Sequence, residues 1–154
     1  IMKIEIERRF LMKALPPQLK ESTYKIEQYY GTDFIGDFRI RQQVSNKKTD
    51  YILTRKKNIG LGTFEEDEMD ITIEMFNLRL NKCKSFIQKS RYTHPFDGLI
   101  FEIDHLHNVN LIIMEVELPA IDHPFMMPAN FDHFIIKEIT GDKSFSNKKL
   151  SMPY

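Results

Sequence analysis

The sequence predicts a β-dominated α+β fold: a closed eight-stranded antiparallel β-barrel with a few helices packed outside. Three observations predict it. Eight segments alternate in polarity with a period of two, most of them are joined by short turn-like connections, and charged residues recur two positions apart within single segments. Of the 154 residues, 42% are hydrophobic and 29% charged. A single domain spanning residues 2–154 is expected, and a chain of that length buries roughly 70% of the surface its unfolded form exposes. Six Gly and seven Pro exclude a collagen-like or disordered composition.

The alternating segments are Lys3–Met12, Tyr24–Tyr30, Asp37–Val44, Asp50–Lys57, Phe64–Ile73, Phe86–His94, Leu99–His105 and Leu111–Leu118. Turn residues separate them at Gly31-Thr32-Asp33, Ser45-Asn46-Lys47, Asn58-Ile59-Gly60 and Pro95-Phe96-Asp97-Gly98, so sequential antiparallel pairing is the simplest topology. The clearest helical signal lies between the fifth and sixth segments. There Ile73, Phe76, Leu80 and Cys83 recur at helical spacing and are expected to share a buried face. A short helix is expected after Pro16-Pro17, and another from about Pro128 to Ile135, before the turn Thr140-Gly141-Asp142.

The paired charges are Glu5 and Glu7 followed by Arg9, then Arg39 and Arg41, Glu66 and Glu68, Lys89 and Arg91, Glu102 and Asp104, and Glu115 and Glu117. Side chains alternate across a strand, so each pair projects onto one face. Between them stand apolar residues: Ile4 and Ile6, Phe38 and Ile40, Phe101 and Ile103, and Met114, Val116 and Leu118. Any one such strand reads as the solvated face of a sheet. Six strands that each carry one sign are different, because a solvated face has no reason to segregate signs. Closing the sheet places the charges in the lumen and leaves the apolar face to be covered from outside.

Carboxylates crowded in a lumen raise one another's pKa unless a cation sits among them. Mg²⁺ or Mn²⁺ suits the oxygen-only set Glu5, Glu7, Glu115 and Glu117, and zinc does not. Arg9, Arg39, Arg41, Lys56, Lys89 and Arg91 would face the same lumen and offer several phosphates forked or point-charge contacts. The implied substrate is a small polyanion, and metal and cations together suit phosphoryl transfer.

Lys and Arg total 22, as do Asp and Glu, so the chain as a whole does not attract nucleic acid or anionic lipid, and neither is an expected partner. The longest apolar runs, such as Leu111 to Met114, fall far short of the ~20 residues of a membrane-spanning helix. The start lacks the pattern of a secretory signal, and Ile1 ahead of Met2 reads as an addition to the native start. Cys83, the lone cysteine, allows no internal disulfide and argues for a cytoplasmic location. A monomer or homodimer is expected.

The opening Glu5-Ile6-Glu7-Arg8-Arg9-Phe10-Leu11 resembles the first-strand signature of the CYTH superfamily, the triphosphate tunnel metalloenzymes. Further similarities are Gln28-Tyr29-Tyr30, Arg39-Ile40-Arg41, Leu53-Thr54-Arg55-Lys56, Glu66-Asp67-Glu68, Lys89-Ser90-Arg91-Tyr92, Phe101-Glu102-Ile103-Asp104, Glu115-Val116-Glu117-Leu118-Pro119 and Glu138-Ile139-Thr140-Gly141-Asp142-Lys143. The resemblance covers nearly the whole chain and is strongest to the small bacterial members that hydrolyse inorganic triphosphate. It implies a closed barrel and metal-dependent triphosphate hydrolysis. Adenylyl cyclase activity on ATP and a non-catalytic polyphosphate-binding module are the alternatives.

Carried over by residue, the resemblance makes Glu5, Glu7, Asp104, Glu115 and Glu117 metal ligands, with Glu66, Glu68 and Glu102 as secondary candidates. It makes Arg9, Arg39, Arg41, Lys56, Lys89, Arg91 and Lys143 substrate ligands, Lys143 at a position that closes over the tunnel. Tyr30 matches a tyrosine that acts with a first-strand lysine in some triphosphatases, so Arg9, Tyr30 and Glu7 are the catalytic candidates. Arg9 stands where the family usually has that lysine; it can clamp phosphate but cannot accept a proton. Phe145 stands where small members often carry tyrosine. His105 and His107 are expected at a strand rim, Cys83 in the core, and the tracts around Lys47 and Lys57 as solvated hairpin flanks.

Overall fold

The computed structural model describes residues 2–154; Ile1 lies outside them. Eight strands form the ring: β1 (Met2–Met12), β2 (Tyr24–Thr32), β3 (Asp37–Val44), β4 (Thr49–Gly60), β5 (Thr63–Asp70), β6 (Cys83–Phe96), β7 (Leu99–Leu106) and β8 (Leu111–Glu117). Hairpins account for β2-β3-β4-β5 and for β6-β7-β8. β1 joins the two meanders, pairing with β5 through Met2–Ile6 and with β8 through Glu7–Met12. The ring closes through β6, whose Cys83–Arg91 portion pairs with β2 while Lys89–Phe96 pairs with β7. That stagger is the strand tilt a barrel requires. Two short strands are additions: β9 (Ile135–Glu138) on the second half of β1 and β10 (Met152–Pro153) on β6.

β5 stops at Asp70 rather than Ile73 because Thr72 caps the helix α1 (Ile73–Leu80), its hydroxyl accepting from the Met75 amide at 3.1 Å. Of the expected buried face, Phe76 is buried, Leu80 is half-buried and Ile73 is exposed, while Cys83 is buried but belongs to β6. The segment after Pro16-Pro17 is a turn, with Leu19 N–H donating to the Pro16 carbonyl, and not a helix. The stretch from Pro128 yields only a 3₁₀ turn, Phe131–Phe134, before β9. Asn130, with φ of 71° in the left-handed region, interrupts any α-helix there.

The outer apolar face is therefore covered mostly by irregular chain and only in part by helix. Leu15, Leu19, Phe125 and Phe131 lie over Phe10, Phe101, Ile103 and Met114, while α1 lays Phe76 against Phe38, Ile40 and Leu53. Inside, the strands change character along their length. Two residues beyond Arg9, Lys89, Asp104 and Glu115 in the direction of one barrel end come Leu11, Ile87, Leu106 and Ile113, which cluster with Ile139, Phe145 and Leu150. That end of the lumen is apolar. Leu150 reaches it from the helix α2 (Asn147–Leu150).

The tip of the β4–β5 hairpin grips β1, with Glu7 N–H donating to the Gly62 carbonyl at 2.8 Å. Gly62 has φ of 58°, and a Cβ there would collide with the Glu7 carbonyl oxygen. Gly62→Ala is expected to destabilise the protein by about 2 kcal/mol, a left-handed non-glycine residue plus a displaced strand. Urea unfolding measures it, and an unchanged midpoint would mean that the hairpin tip does not bear on β1.

Candidate active site

The barrel encloses a cavity of about 280 Å³ whose wall is polar. Its acidic side comes from Glu5 and Glu7 of β1, Glu66 and Glu68 of β5, Glu102 of β7 and Glu115 and Glu117 of β8. Its basic side comes from Arg39 and Arg41 of β3, Lys56 of β4 and Arg91 of β6. Most of the residues expected in the lumen therefore meet at one cavity. Lys3, Gln43, Ile52 and Asn147 also line it. Gln43 could have been found from its parity with Arg39 and Arg41, whereas Asn147 arrives from the C-terminal segment and has no signal in any strand pattern.

On the acidic side Glu7 stands directly opposite Glu117 in the β1–β8 register, and facing like charges destabilise a sheet unless neutralised. Burial, Glu115 and Glu5 push the Glu7 carboxyl up to about 8 against the pull of Lys56 and Arg9. Burial and Glu5 also raise Glu117. Two ammonium groups stand among these carboxylates: Lys56, 3.0 Å from Glu5, 3.8 Å from Glu66 and 3.9 Å from Glu7, and the more exposed Lys3, 3.4 Å from Glu66. The shortest contact is that of Lys56. Burial works against its charge, but Glu7, Glu5 and Glu115 outweigh burial and hold its pKa above the usual lysine value.

Behind the wall lies a second layer of charge. Asp104, buried, receives Arg91 Nε and Nη2 at 2.8 and 2.9 Å and Lys89 Nζ at 2.8 Å. Although burial disfavours its charge, Arg91 and Lys89 hold its carboxyl well below the usual range. Both oxygens are thus occupied and neither Asp104 nor Lys89 lines the cavity. Burial pulls Lys89 down to about 7, with Asp104 opposing. Arg9 is likewise turned inward: its Nε donates to Glu115 at 2.9 Å and its Nη1 to the Phe145 carbonyl at 2.8 Å. Tyr30 is half-buried, its pKa raised by burial. Lys143 is exposed in a 3₁₀ turn, away from the cavity wall.

Arg39 is the reverse case. Its Nη2 reaches Thr54 at 3.2 Å, but its buried Nε has no partner among the described residues, and an orphaned buried donor on a residue that lines a polar cavity marks a place for an acceptor. His105 and His107 lie at the β7–β8 rim with rings 4.7 Å apart, bonded to Asn110 and Ser90. Cys83 is buried, donates to the Arg79 carbonyl and is pushed up to about 11 by burial, so its thiol is inert.

Among the described residues no three acidic, histidine or cysteine side chains converge into a cage for an ion. The wall nonetheless fits a hard cation. Its donors are all carboxylate oxygens, two of them face each other with one sign, and Mg²⁺ commonly takes one or two carboxylates and completes its sphere with water and substrate phosphate.

The chain is similar over nearly its whole length to known proteins. It is 31% identical to an inorganic triphosphatase of Nitrosomonas europaea over 156 residues, covering 96% of this chain and 97% of that protein. To an inorganic triphosphatase of Acetivibrio thermocellus it is 30% identical over 152 residues, covering 95% and 92%. A crystal structure of an inorganic triphosphatase matches the fold with a TM-score of 0.60 at 26% identity, covering 96% and 93%. A Hippeastrum protein with a dominant triphosphatase activity shares the fold with a TM-score of 0.55 at 18% identity, covering 76% and 80%. No family model matches the chain.

Proposed function

The chain belongs to the inorganic triphosphatase family, and from that premise we propose that it hydrolyses a phosphoanhydride bond of inorganic triphosphate within the barrel, with Mg²⁺ or Mn²⁺ as cofactor. The observation that carries this reading is the cavity wall, in which Arg39, Arg41 and Lys56 face Glu5, Glu7 and Glu117 across one enclosed space. A cationic side alone would bind a polyanion. The facing carboxylates would repel it unless a divalent ion stood between them.

In this reading Arg39, Arg41 and Lys56 hold phosphate oxygens, Arg39 using the Nε that has no acceptor among the described residues, while Arg91, a substrate ligand by resemblance, is held back by Asp104 and Glu102. Glu5, Glu7, Glu115 and Glu117 would hold the metal, which supplies charge neutralisation and a more acidic water. Asp104, a metal ligand by resemblance, instead secures Arg91 and Lys89, which bond both of its oxygens behind the cavity wall. Arg9 ties Glu115 to the C-terminal segment and, as a guanidinium, cannot accept a proton. Glu7, in its ionised form, would take a proton from water as the oxygen bonds to a terminal phosphorus and pyrophosphate leaves. Lys143, exposed in this structure, would reach substrate only at the opening. A small-molecule substrate, a cytoplasmic location and a monomer or homodimer complete the reading.

Phosphate release from tripolyphosphate, ATP and thiamine triphosphate, measured side by side with Mg²⁺, Mn²⁺ or EDTA, tests it. Tripolyphosphate is expected to turn over fastest and EDTA to abolish release. Cyclic AMP formed from ATP, or tight tripolyphosphate binding with no release under any metal, would replace the hydrolase reading with a cyclase or a binding module respectively.

A further inference from the structure

We infer that Gln28 is a positioning residue for triphosphate binding, a buried neutral tether that aims the Arg41 guanidinium into the cavity without cancelling its charge; the inference rests on the triphosphatase reading. Gln28 is fully buried on β2, directly opposite Arg41 in the β2–β3 register. Arg41 Nε donates to Gln28 Oε1 at 3.2 Å. A guanidinium can only donate, so the amide oxygen must face Arg41 and the amide nitrogen must face the other way. There Gln28 Nε2 donates to the Tyr30 hydroxyl oxygen at 2.6 Å. The bonds therefore run in one direction, from Arg41 through Gln28 to Tyr30.

The contrast with Arg91 gives the tether its meaning. Both arginines line the cavity. Arg91 is bound at Nε and Nη2 by Asp104 and at Nη1 by Glu102, so carboxylates meet every nitrogen. Arg41 is held only at Nε, by a neutral amide, and its two terminal nitrogens bond no acceptor among the described residues. A carboxylate in place of Gln28 would orient Arg41 equally well but neutralise it. With burial, Arg39 and Arg91 already disfavouring its charge, Arg41 is a cation that a bound anion relieves. Tyr30, which does not line the cavity, acts through Gln28 as the second end of the tether and does not touch the reacting atoms.

The test compares Gln28→Glu, Gln28→Ala and Tyr30→Phe with the unaltered protein. For each, KM and kcat for tripolyphosphate, the tripolyphosphate Kd in EDTA, the Mg²⁺ activation curve and thermal unfolding are measured. Gln28→Glu is expected to fold with undiminished Tm, because it gains an ion pair with Arg41, yet to raise KM and Kd roughly tenfold at nearly unchanged kcat and Mg²⁺ activation. Gln28→Ala should weaken binding to a similar degree with a lower Tm, and Tyr30→Phe should move KM by less than either. A merely structural Gln28 would lower Tm in both Gln28 variants and leave KM and Kd unchanged, which overturns the assignment. So would a Tyr30→Phe protein that loses kcat at constant KM. An unaltered protein that neither binds nor hydrolyses tripolyphosphate overturns the triphosphatase reading and this assignment with it, whereas normal turnover with wild-type KM in Gln28→Glu overturns this assignment alone.

Discussion

Glu117→Gln is expected to cut metal-dependent phosphate release by on the order of a hundredfold or more, since even indirect supports of a metal ligand are worth 10- to 100-fold, and to leave the fold intact. Glu117 lines the cavity from the last residue of β8, opposite Glu7. It makes no ion pair or side-chain hydrogen bond among the described residues, and burial together with Glu5 raises its pKa. Lys3 and Lys56 favour its charge only from a distance, so its loss should relieve repulsion and not open a gap. The measurement pairs initial rates at saturating Mg²⁺ with thermal unfolding in EDTA. A folded variant that retains the wild-type rate would remove Glu117, and with it the facing pair, from the metal site.

The second large effect is on stability and has a definite sign with pH. Glu7 has an ordinary carboxyl value of 4.5 when unfolded and about 8 in the folded protein. Below the lower value both states carry the proton and Glu7 contributes nothing. Between the two values the folded state keeps a proton that the unfolded state loses, so stability falls as pH rises, by about 3 kcal/mol on reaching pH 7. In metal-free buffer Glu7→Gln should match the unaltered protein near pH 4 and exceed it increasingly toward pH 8. Lys89, drawn down to about 7 by burial, acts with the opposite sign, adding stability as pH climbs from 7 toward the ordinary lysine value. The difference between the two proteins at each pH isolates Glu7. A difference that stays flat from pH 4 to 8 in urea titrations would mean that Glu7 is not held in a repulsive, desolvated place. Mg²⁺ should stabilise the unaltered protein more at pH 8 than at pH 5, because it favours the ionised carboxylate.

Much of this site was legible in the chain because strand parity is local. Glu5, Glu7, Arg39, Arg41, Glu115 and Glu117 announce a common face by their two-residue spacing, and all line the cavity. Arg9, Lys89 and Asp104 share the same parity and yet are spent on Glu115 and on one another. Their depth depends on where β6, β7 and β8 slide past one another, and no spacing within a strand reports that. Helix length escapes the sequence pattern for a related reason. Leu19 and Phe131 carry apolar side chains that suit a helix, but a left-handed Asn130 and the turn at Pro16 deliver them to the barrel wall as irregular chain.

By itself the sequence determined that eight strands close into a ring and which side chains point inward, since alternation and turn chemistry are properties of neighbours along the chain. The tertiary structure alone decided which inward charges remain available to a ligand. Whether the charge of Arg41 is left uncountered beside Gln28, that of Arg91 is countered by Asp104, or Glu7 is left facing Glu117 depends on cross-strand register and burial, through which the desolvation cost of a charge is either met by a partner or left for a substrate and its metal to meet.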